Sequence, residues 1–378
     1  MPDDGRLRIL GIGDAKSRHF ARWARRLAEK GHEVHVASGR VNPRGELDGI
    51  QVHRFQELDP LLRVPVLRRF RMVPALARLA RRVQPDVVHS HYLLPYGYWT
   101  ARARLGPLVV SPWGKDAIVD AWQSPEAEER ARVAIAPKRA LAYVVNSQAL
   151  EDAAVELGAD RAKFHRILWH ARIDAYSPDR ADRSRWRALG WPDDAIVCLS
   201  LRNFRPYTNL DVLLRAFAKA REDVPELRLF SSAGGGWTRS EFEQLASELG
   251  LEPYMAVQDV PAAELPSVTA SADFAVTLAD VDSSPASLLE TMASGVPLVV
   301  GRAPSMEEWI QQGEGGEVVE RRDVEAVTQA ILRLARDPEL RRRYGERNLR
   351  EVHARFGDPT AQLEAVYSEV LGLSAPSA

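Results

Sequence analysis

The sequence has one cysteine, Cys198, among 378 residues, which excludes an intramolecular disulfide and a multi-cysteine metal site. Cys198 lies in the apolar segment AIVCLS, which predicts a small buried residue. No segment approaches the roughly 18 apolar residues of a membrane span, and the amino terminus lacks a basic segment followed by an apolar one. We therefore expect a soluble, unexported, cytoplasmic protein.

The sequence also has almost no net charge, since 51 basic residues face 52 acidic residues. No global field favours nucleic acid, so we expect no nucleic-acid partner. Residues 61–83 are an exception, because they contain seven arginines and no acidic residue. This segment is either an ordinary amphipathic surface element or an attachment to an anionic lipid surface at the inner membrane face. Pro65 and Pro74 argue against one continuous helix there.

Short apolar runs followed by helical patterns recur along the whole chain, from LRILGIG near the start to PLVVG at 297–301. This alternation predicts two α/β domains, each a doubly wound, Rossmann-like parallel sheet. Residues 171–194 interrupt the rhythm with charged residues and prolines, which is typical of a linker. The predicted domains are residues 1–170 and 195–357, and the final helical stretch, 358–378, is expected to pack back on the first domain.

Two common nucleotide-binding motifs are missing. Gly11 and Gly13 begin a dinucleotide fingerprint, but Lys16 occupies the position of its third glycine, which disfavours a nicotinamide or flavin site. No Gly-Lys-Ser/Thr triplet ends a phosphate loop, which argues against a P-loop nucleotidase. The turn around Gly13 nevertheless joins a strand to a helix, and such turns bind ligands in parallel sheets.

The segment 282–300, which is Asp282 followed by SSPASLLETMASGVPLVV, carries the strongest chemical signal. Ser284 suits the N-cap and Pro285 the first turn of a helix that follows a buried strand. A diphosphate would be bound by the positive end of this helix and by three free amides, those of Ala286, Ser287 and Leu288. Glu290 would reach a sugar hydroxyl of the same ligand, and Asp282 lies at the mouth of the predicted site.

Other interpretations of this region stay open. Glu290 could be a solvated surface residue, and Asp280 with Asp282 forms an Asp-x-Asp pair that holds a divalent metal against a diphosphate in another enzyme architecture. Arg202 and Arg205 follow a strand and either bind phosphate or lie solvated in their loop. The triple glycine at 234–236 favours a simple tight turn over a ligand contact.

Candidate residues of the first half follow two strands. His89 and His91 lie on one face of a strand end, but no third ligand is near, so we expect no metal there. The two histidines either line a cleft or bond to the backbone. The next strand is followed by a loop expected to face the same cleft, with Trp113, Lys115 and Asp116.

Segments along nearly the whole chain resemble the family 4 retaining glycosyltransferases of the GT-B fold. They include PDVVHSHY, WGKD, RNFRPYTNLDVLLRAF, AELPSVTASADFAVTLA and SSPASLLETMASGVPLVV. The resemblance implies two Rossmann-like domains facing a cleft, with a nucleotide-diphospho-sugar donor held mostly by the second and the acceptor by the first. The donor is a substrate, so no cofactor is implied.

The resemblance also implies residue roles. Glu290 matches the second acid of the family's signature, two glutamates separated by seven residues, and would bind the ribose, whereas the first acid position falls on the shorter Asp282 near the donor sugar. Residues 284–287 would bind the distal phosphate. The family's lysine five positions after Arg202 is replaced by Tyr207, and Arg205 is a candidate substitute. Trp113 stands where the family often has a histidine. His91 and His19 are the candidates to replace that histidine near the reacting centre.

These features predict a metal-independent retaining hexosyltransferase whose leaving phosphate oxygen accepts the proton of the acceptor. The expected acceptor is a glycan, a lipid-linked intermediate or a small molecule, in surface polysaccharide or glycolipid synthesis. The alternative is a nucleotide-sugar-binding subunit with impaired catalysis, because the lysine is missing and Asp282 and Trp113 depart from the family pattern.

Overall fold

The computed structural model describes residues 5–41, 47, 49–232 and 239–373. The chain forms two compact units. The first unit contains Met1–His170 together with Asp358–Ala378, and the second unit contains Ala171–Gly357. Each unit is a parallel sheet covered by helices, so the predicted fold class is confirmed.

The first unit alternates strands and helices along the chain. Its strands are β1 Arg8–Ile12, β2 Glu33–Ser38, β3 Gln51–Arg54, β4 Val87–His91, β5 Leu108–Ser111, β6 Ala140–Val145 and β7 Phe164–Arg166. Its helices before the second unit are α1 Arg18–Glu29, α2 Phe55–Leu58, α3 Pro65–Val83, α4 Tyr98–Arg102, α5 Lys115–Ile118, α6 Pro125–Ile135 and α7 Gln148–Glu156.

The second unit repeats this pattern. Its strands are β8 Ile196–Ser200, β9 Leu227–Ser231, β10 Met255–Val257, β11 Phe274–Thr277, β12 Leu298–Gly301, β13 Gln311–Gln312 and β14 Gly315–Val319. Its helices are α8 Ser184–Ala188, α9 Leu210–Asp223, α10 Arg239–Glu248, α11 Leu265–Ala270, α12 Ala286–Ala293, α13 Pro304–Glu307, α14 Val324–Arg336 and α15 Pro338–Arg355. Helix α16, Pro359–Val370, returns to the first unit.

Strand order fixes where ligands can bind in each unit. The first sheet has the order β3-β2-β1-β4-β5-β6-β7, and the second has β10-β9-β8-β11-β12-β14-β13. The order reverses between β1 and β4 in the first sheet and between β8 and β11 in the second. The loops that leave neighbouring strands at such a switch point diverge, which opens a crevice at the carboxyl edge of the sheet.

Apolar strands buried from both sides form the core of each unit. In the second unit, Cys198 and Leu229 pack with Phe217, Phe274 and Ile331, all fully buried. Cys198 is therefore a small core residue, as predicted, and burial raises the pKa of its thiol. In the first unit, Phe20, Trp23 and Leu27 form the buried face of α1 and belong to the same core cluster as Ile9 of β1.

Residues 171–194, predicted as a linker, cluster with the second unit. The segment contains α8 and two short 3-10 helices, Ile173–Ala175 and Pro178–Arg180. Trp186 is 1% exposed, and its indole Nε1 donates to the carbonyl of Ser271 at 2.9 Å. Two tryptophans of this polar segment, Trp186 and Trp191, stack at 5.5 Å. Apolar anchors of this kind tie the segment to the second unit.

Helix α3 is continuous from Pro65 to Val83, so the expected break at the prolines is wrong. Pro65 occupies the first turn, where a backbone N–H has no intrahelical acceptor, and Pro74 is accommodated inside the helix. Met72, Leu76 and Leu79 form its buried face. Among the helices of the described residues, none combines the length and the apolarity needed to cross a bilayer.

Helix α16 packs on the first unit. Val366 and Tyr367 belong to the same core cluster as Ile9 and Trp23. The Tyr367 hydroxyl accepts from Trp23 Nε1 at 3.2 Å and is 2.7 Å from Nδ1 of His89. A buried hydrogen-bond chain thereby joins the last helix to β4.

Candidate functional site

The loops after β8 and β11 form the strongest candidate site of the second unit. Arg202 lies in the first loop, and Asp282 lies in the second, shortly before α12. These two strands are neighbours at the switch point of the sheet. The structure therefore brings Arg202, a predicted phosphate ligand, into contact with Asp282, which was predicted at the mouth of the same site.

Helix α12 begins one residue later than predicted. Pro285 is its N-cap, with extended backbone angles of φ −67° and ψ 137°, and Ala286 is the first helical residue. Leu288 N–H donates to the Pro285 carbonyl at 3.0 Å, so this amide is not free, contrary to the prediction. Within the described part of the chain, the N–H groups of Ala286 and Ser287 have no acceptor. Two amides, together with the positive helix end, remain available to an anion.

Ser284 is a buried anchor and does not cap the helix through its side chain. Its hydroxyl is fully buried and accepts from Trp309 Nε1 at 3.0 Å. The loop is fixed again two residues earlier, where the Asp282 carbonyl accepts from Ser305 Oγ at 2.9 Å. The start of the helix is thus held by side chains from α13 and from the segment that follows α13.

Glu290 lies on the second turn of α12 and is partly exposed. Its Oε1 accepts from the backbone N–H of Arg172 at 3.2 Å. This hydrogen bond orients the carboxylate. A carboxylate held in this way can accept two hydrogen bonds from a diol.

Arg202 and Asp282 form a largely buried ion pair. Arg202 Nη2 lies 2.5 Å from Asp282 Oδ2, and the side chains are only 13% and 18% exposed. Arg202 Nε is buried and has no hydrogen-bond acceptor among the described residues. The guanidinium therefore keeps at least one N–H donor that a ligand could engage.

Arg205 and Tyr207 lie in the same loop but differ from Arg202 in their surroundings. Arg205 is exposed and lines a cavity of about 490 Å³ that α9 and α10 also line, with Asp211, Arg215 and Glu248 among its residues. Tyr207 is exposed, and its carbonyl accepts from Asp280 N–H at 2.8 Å. Neither residue supplies a buried cation comparable to Arg202.

The alternative metal pair, Asp280 and Asp282, is engaged by separate arginines. Asp280 pairs with Arg322 at 2.5 Å and accepts from Asn209 Nδ2 at 2.8 Å. The hydrogen bonds from Arg322 and Asn209 hold the pKa of the Asp280 carboxyl below its usual value, against the effect of burial. Among the described residues, no group of three His, Cys, Asp or Glu side chains could hold a metal ion. The triple glycine at 234–236 lies outside the described residues.

Gly13 lies at the end of β1 in the first unit. A Cβ atom there would lie 2.8 Å from Cε2 of Phe20, so packing against α1 requires glycine. Its N–H donates to the Ala37 carbonyl at 3.2 Å. The Gly13 amide is therefore occupied within the sheet, which leaves no donor there for a phosphate.

His91 lies inside an aromatic cluster. It is fully buried, stacks on His89 at 4.3 Å and accepts at Nδ1 from Trp113 Nε1 at 3.3 Å. Burial, followed by the charge of His89, holds the pKa of His91 well below its usual value. His91 is thus neutral and has no exposed atoms through which it could act directly on a substrate.

His19, the other candidate of the first unit, is partly exposed at the start of α1. Its Nδ1 lies 3.1 Å from the His170 carbonyl, and its ring lies 6.1 Å from that of Trp113. Burial and the charge of Arg22 lower the pKa of His19 to about 4. The structure brings His19, His91 and Trp113 into one cluster, and His19 is its partly exposed histidine.

The loop after β5 holds the remaining candidates. Trp113 is partly exposed and stacks on Tyr92 at 4.3 Å. Lys115 is exposed and pairs with Asp120. Asp116 is only 4% exposed and accepts from the N–H groups of Leu93 (2.7 Å) and Trp113 (2.9 Å). Burial raises the pKa of Asp116 against these hydrogen bonds. Asp116 therefore fixes two loops and is not an open contact.

Sequence reasoning missed four residues that shape these sites: Trp309, Ser305, Arg172 and Tyr92. The first three act through hydrogen bonds between segments distant in sequence, which leave no local signal. Tyr92 has φ 69° and ψ 144°, a conformation that bulky residues rarely adopt. The sequence PDVVHSHYLLPYGYW shows the aromatic residues around Tyr92, but it gives no indication of the strained backbone.

Two family models match the chain. The model of glycosyl transferases group 1 matches residues 183–350, and the model described as glycosyl transferase 4-like matches residues 8–145. The chain is 34% identical over 173 residues to the GDP-mannose-dependent alpha-(1-6)-phosphatidylinositol monomannoside mannosyltransferase of Mycolicibacterium smegmatis, covering 44% of this chain and 45% of that protein. It is 25% identical over 365 residues to the N-acetyl-alpha-D-glucosaminyl L-malate synthase of Bacillus anthracis, covering 92% of each.

The crystal structure of HepE from Anabaena in complex with UDP and glucose has the same fold, with a TM-score of 0.77 and 19% identity over 96% of this chain and all of that one. The glycosyl transferase 4-like match lies within the first unit, and the group 1 match lies within the second. The chain belongs to the family 4 glycosyltransferases of the GT-B fold.

Proposed function

We propose that the protein is a retaining, metal-independent hexosyltransferase that moves a sugar from a nucleotide-diphosphate donor to a glycan, lipid-linked or small-molecule acceptor. The observation that carries the proposal is the arrangement around α12. Arg202 and the free amides of Ala286 and Ser287 follow two neighbouring strands of one sheet, and Glu290 lies on the second turn of α12.

Each of these groups matches one part of such a donor. The guanidinium and the two amides bind the diphosphate, and they stabilise the negative charge that grows on it as the glycosidic bond breaks. Glu290 accepts hydrogen bonds from the ribose hydroxyls. Because these groups interact more strongly with the developing charge than with the intact donor, they lower the barrier as well as bind the substrate.

In this proposal the anomeric configuration is retained because the acceptor attacks the anomeric carbon from the front face. The leaving phosphate oxygen takes the proton of the acceptor hydroxyl, while the acceptor oxygen forms its bond to the anomeric carbon on the face that the phosphate leaves. A double displacement would require a nucleophilic carboxylate close beneath the sugar. Asp282 is held by Arg202, which makes it a poor nucleophile.

Metal independence rests on the charges already present. Asp280 and Asp282 are each paired with an arginine, so they offer no shared, open pair of carboxylates to a divalent ion. Arg202 and the end of α12 supply positive charge where a metal would otherwise be required. Activity should therefore persist in a strong chelator.

We assign acceptor binding to the first unit, as the resemblance implies. His19 and Trp113 are partly exposed at the carboxyl edge of its sheet, near its switch point. The two relatives described above act, by their names, on a phosphatidylinositol mannoside and on L-malate. A lipid-linked acceptor fits the surface of α3, and the product then belongs to glycolipid or surface polysaccharide synthesis.

The amino-terminal half of α3 supports attachment to an anionic membrane surface. Val66 is 67% exposed and Phe70 is 62% exposed, beside the exposed Arg63 and Arg69. Arg71 pairs with the buried Asp59 at 2.7 Å, so part of the basic charge is neutralised within the protein. The remaining charge and the apolar side chains together match a lipid headgroup layer, with peripheral binding from the cytoplasmic side.

The test is a panel of UDP-, GDP- and ADP-sugars with candidate acceptors, measured as release of nucleoside diphosphate. The anomeric configuration of the product is read by NMR, and the assay is repeated in EDTA. We expect acceptor-dependent turnover, a retained configuration and no loss in EDTA. Donor binding without turnover for any acceptor would instead favour a catalytically impaired nucleotide-sugar-binding subunit, and an inverted product would refute retention.

A further inference from the structure

We propose that Asp282 is a positioning residue, which holds the guanidinium of Arg202 in the orientation that binds the donor diphosphate. This inference rests on the proposed function, because it assigns a task within the same donor site. It differs from the role that the resemblance implies, in which the acid at this position contacts the donor sugar.

The backbone that carries Asp282 is fixed independently of Arg202. The Asp282 carbonyl accepts from Ser305 Oγ, and Ser305 is 1% exposed. Asp280 accepts from Asn209, and Ser284 accepts from Trp309. The loop is therefore held at every second residue, namely at Asp280, Asp282 and Ser284. An arginine side chain has many rotamers, so the rigid partner in this ion pair is Asp282.

The contact uses only part of the guanidinium. Arg202 Nη2 lies 2.5 Å from Asp282 Oδ2, whereas Nε is buried without an acceptor among the described residues. A buried donor that stays unsatisfied is unfavourable, so its presence at a ligand edge indicates a partner supplied by the ligand. A diphosphate oxygen suits this partner, because arginine binds phosphate through paired N–H groups.

The orientation of Arg202 matters more in this chain because the usual second cation is missing. Tyr207 stands at the lysine position, and Arg205 is exposed along a cavity lined by α9 and α10. Positive charge for the diphosphate then depends on Arg202 together with the end of α12. A freely rotating Arg202 would lose rotamer entropy on binding, which the contact with Asp282 avoids.

The experiment is a double-mutant cycle on the full chain, with UDP and GDP as the probes in calorimetric titrations. We expect Arg202→Ala to weaken nucleoside diphosphate binding by about 30-fold or more and Asp282→Ala by about 10-fold. The double variant should match Arg202→Ala within about 2-fold, because Asp282 acts through Arg202. Glu222→Ala, at an exposed site on α9, is the control and should bind as the wild type does.

Two conservative variants separate positioning from sugar contact. Asp282→Asn keeps an oxygen acceptor at the same distance and should stay within about 3-fold of wild type. Asp282→Glu lengthens the side chain on a fixed loop, displaces Arg202 and should bind UDP or GDP more weakly than Asp282→Asn. If Asp282 instead contacted the donor sugar, Asp282→Glu should bind intact sugar nucleotides more tightly than Asp282→Asn does. Neither substitution should then change the binding of UDP or GDP.

Additive losses in the cycle, or unchanged UDP and GDP binding in Asp282→Ala, would overturn the inference. If Asp282→Ala fails to fold by circular dichroism, the ranking of Asp282→Asn and Asp282→Glu decides. If the wild type binds UDP or GDP but shows no turnover, the proposed function is refuted. The double-mutant cycle still tests whether Asp282 positions Arg202. A folded wild type that binds no nucleoside diphosphate would overturn both.

Discussion

Trp309 donates a hydrogen bond from its indole Nε1 to the hydroxyl of Ser284 at 3.0 Å, inside the second unit. Trp309 is 2% exposed, and Ser284 is fully buried. The guanidinium of Arg355 lies over the indole ring, 3.8 Å from its centroid. The loop that leads into α12 is thus fixed to a tryptophan 25 residues later in the chain.

Ser284→Ala should lower the free energy of unfolding, because it leaves the indole N–H buried without its acceptor. We expect a loss of about 1–3 kcal/mol, measured by urea denaturation. Ser287→Ala, on the partly exposed first turn of α12, is the matched control and should cost less than about 0.5 kcal/mol. Equal stability of the two variants would contradict the structural role of Ser284.

Glu290→Ala should weaken binding of the donor nucleotide by about 10- to 100-fold, because a hydrogen-bonded carboxylate facing a ribose diol is lost. Calorimetric titration with UDP and GDP measures the change. Glu290→Gln keeps an acceptor for the Arg172 N–H and should lose less. Glu222→Ala provides the exposed control, and identical affinity of Glu290→Ala and wild type would remove Glu290 from the donor site.

Phe70→Glu should reduce sedimentation with phosphatidylglycerol vesicles by about 10-fold, since it places a negative charge in an exposed apolar patch beside arginines. The matched control is Leu141→Glu, at another exposed apolar residue of the first unit, 44% exposed. We expect no binding of wild type to phosphatidylcholine vesicles. Equal recovery with both lipids, or equal loss in the control, would contradict attachment through α3.

The histidines of the first unit whose pKa values are lowered should make its stability depend on pH. Burial lowers the pKa of His89 to about 3, and burial and Arg22 lower that of His19 to about 4. The unfolded chain binds these protons near pH 6.5, so acid favours the unfolded state from about pH 6.5 downwards. We expect a loss of about 2 kcal/mol per such histidine between pH 7 and pH 5, measured by urea denaturation.

The carboxyl groups with lowered pKa values lose their stabilising charge only below about pH 4.5, so they do not cause the change expected between pH 7 and pH 5. His89→Asn should flatten this dependence, although it lowers stability at pH 7 by disturbing the contact with Tyr367. His353→Gln, at an exposed position on α15, should leave the dependence unchanged. An unfolding free energy that is constant from pH 7 to pH 5 would refute the explanation.

Local patterns in the sequence were sufficient for the architecture and for part of the donor site. Apolar runs of strand length alternating with helical patterns predicted the two parallel sheets, and Pro285 before ASLLE predicted the start of α12 to within one residue. These signals are local, because hydrophobic periodicity and helix capping depend on residues a few positions apart. Short strands such as β7 and β13 were missed, since three or two residues carry no periodicity.

Tertiary structure alone decided how the candidate side chains are used. Asp282 pairs with Arg202 across 80 residues, Ser284 binds Trp309, and Asp116 is buried between two loops. His91 is enclosed by aromatic rings although it ends a strand at the ligand edge. Such contacts join segments far apart in sequence, and their geometry depends on how strands are ordered in the sheet, which no local pattern encodes.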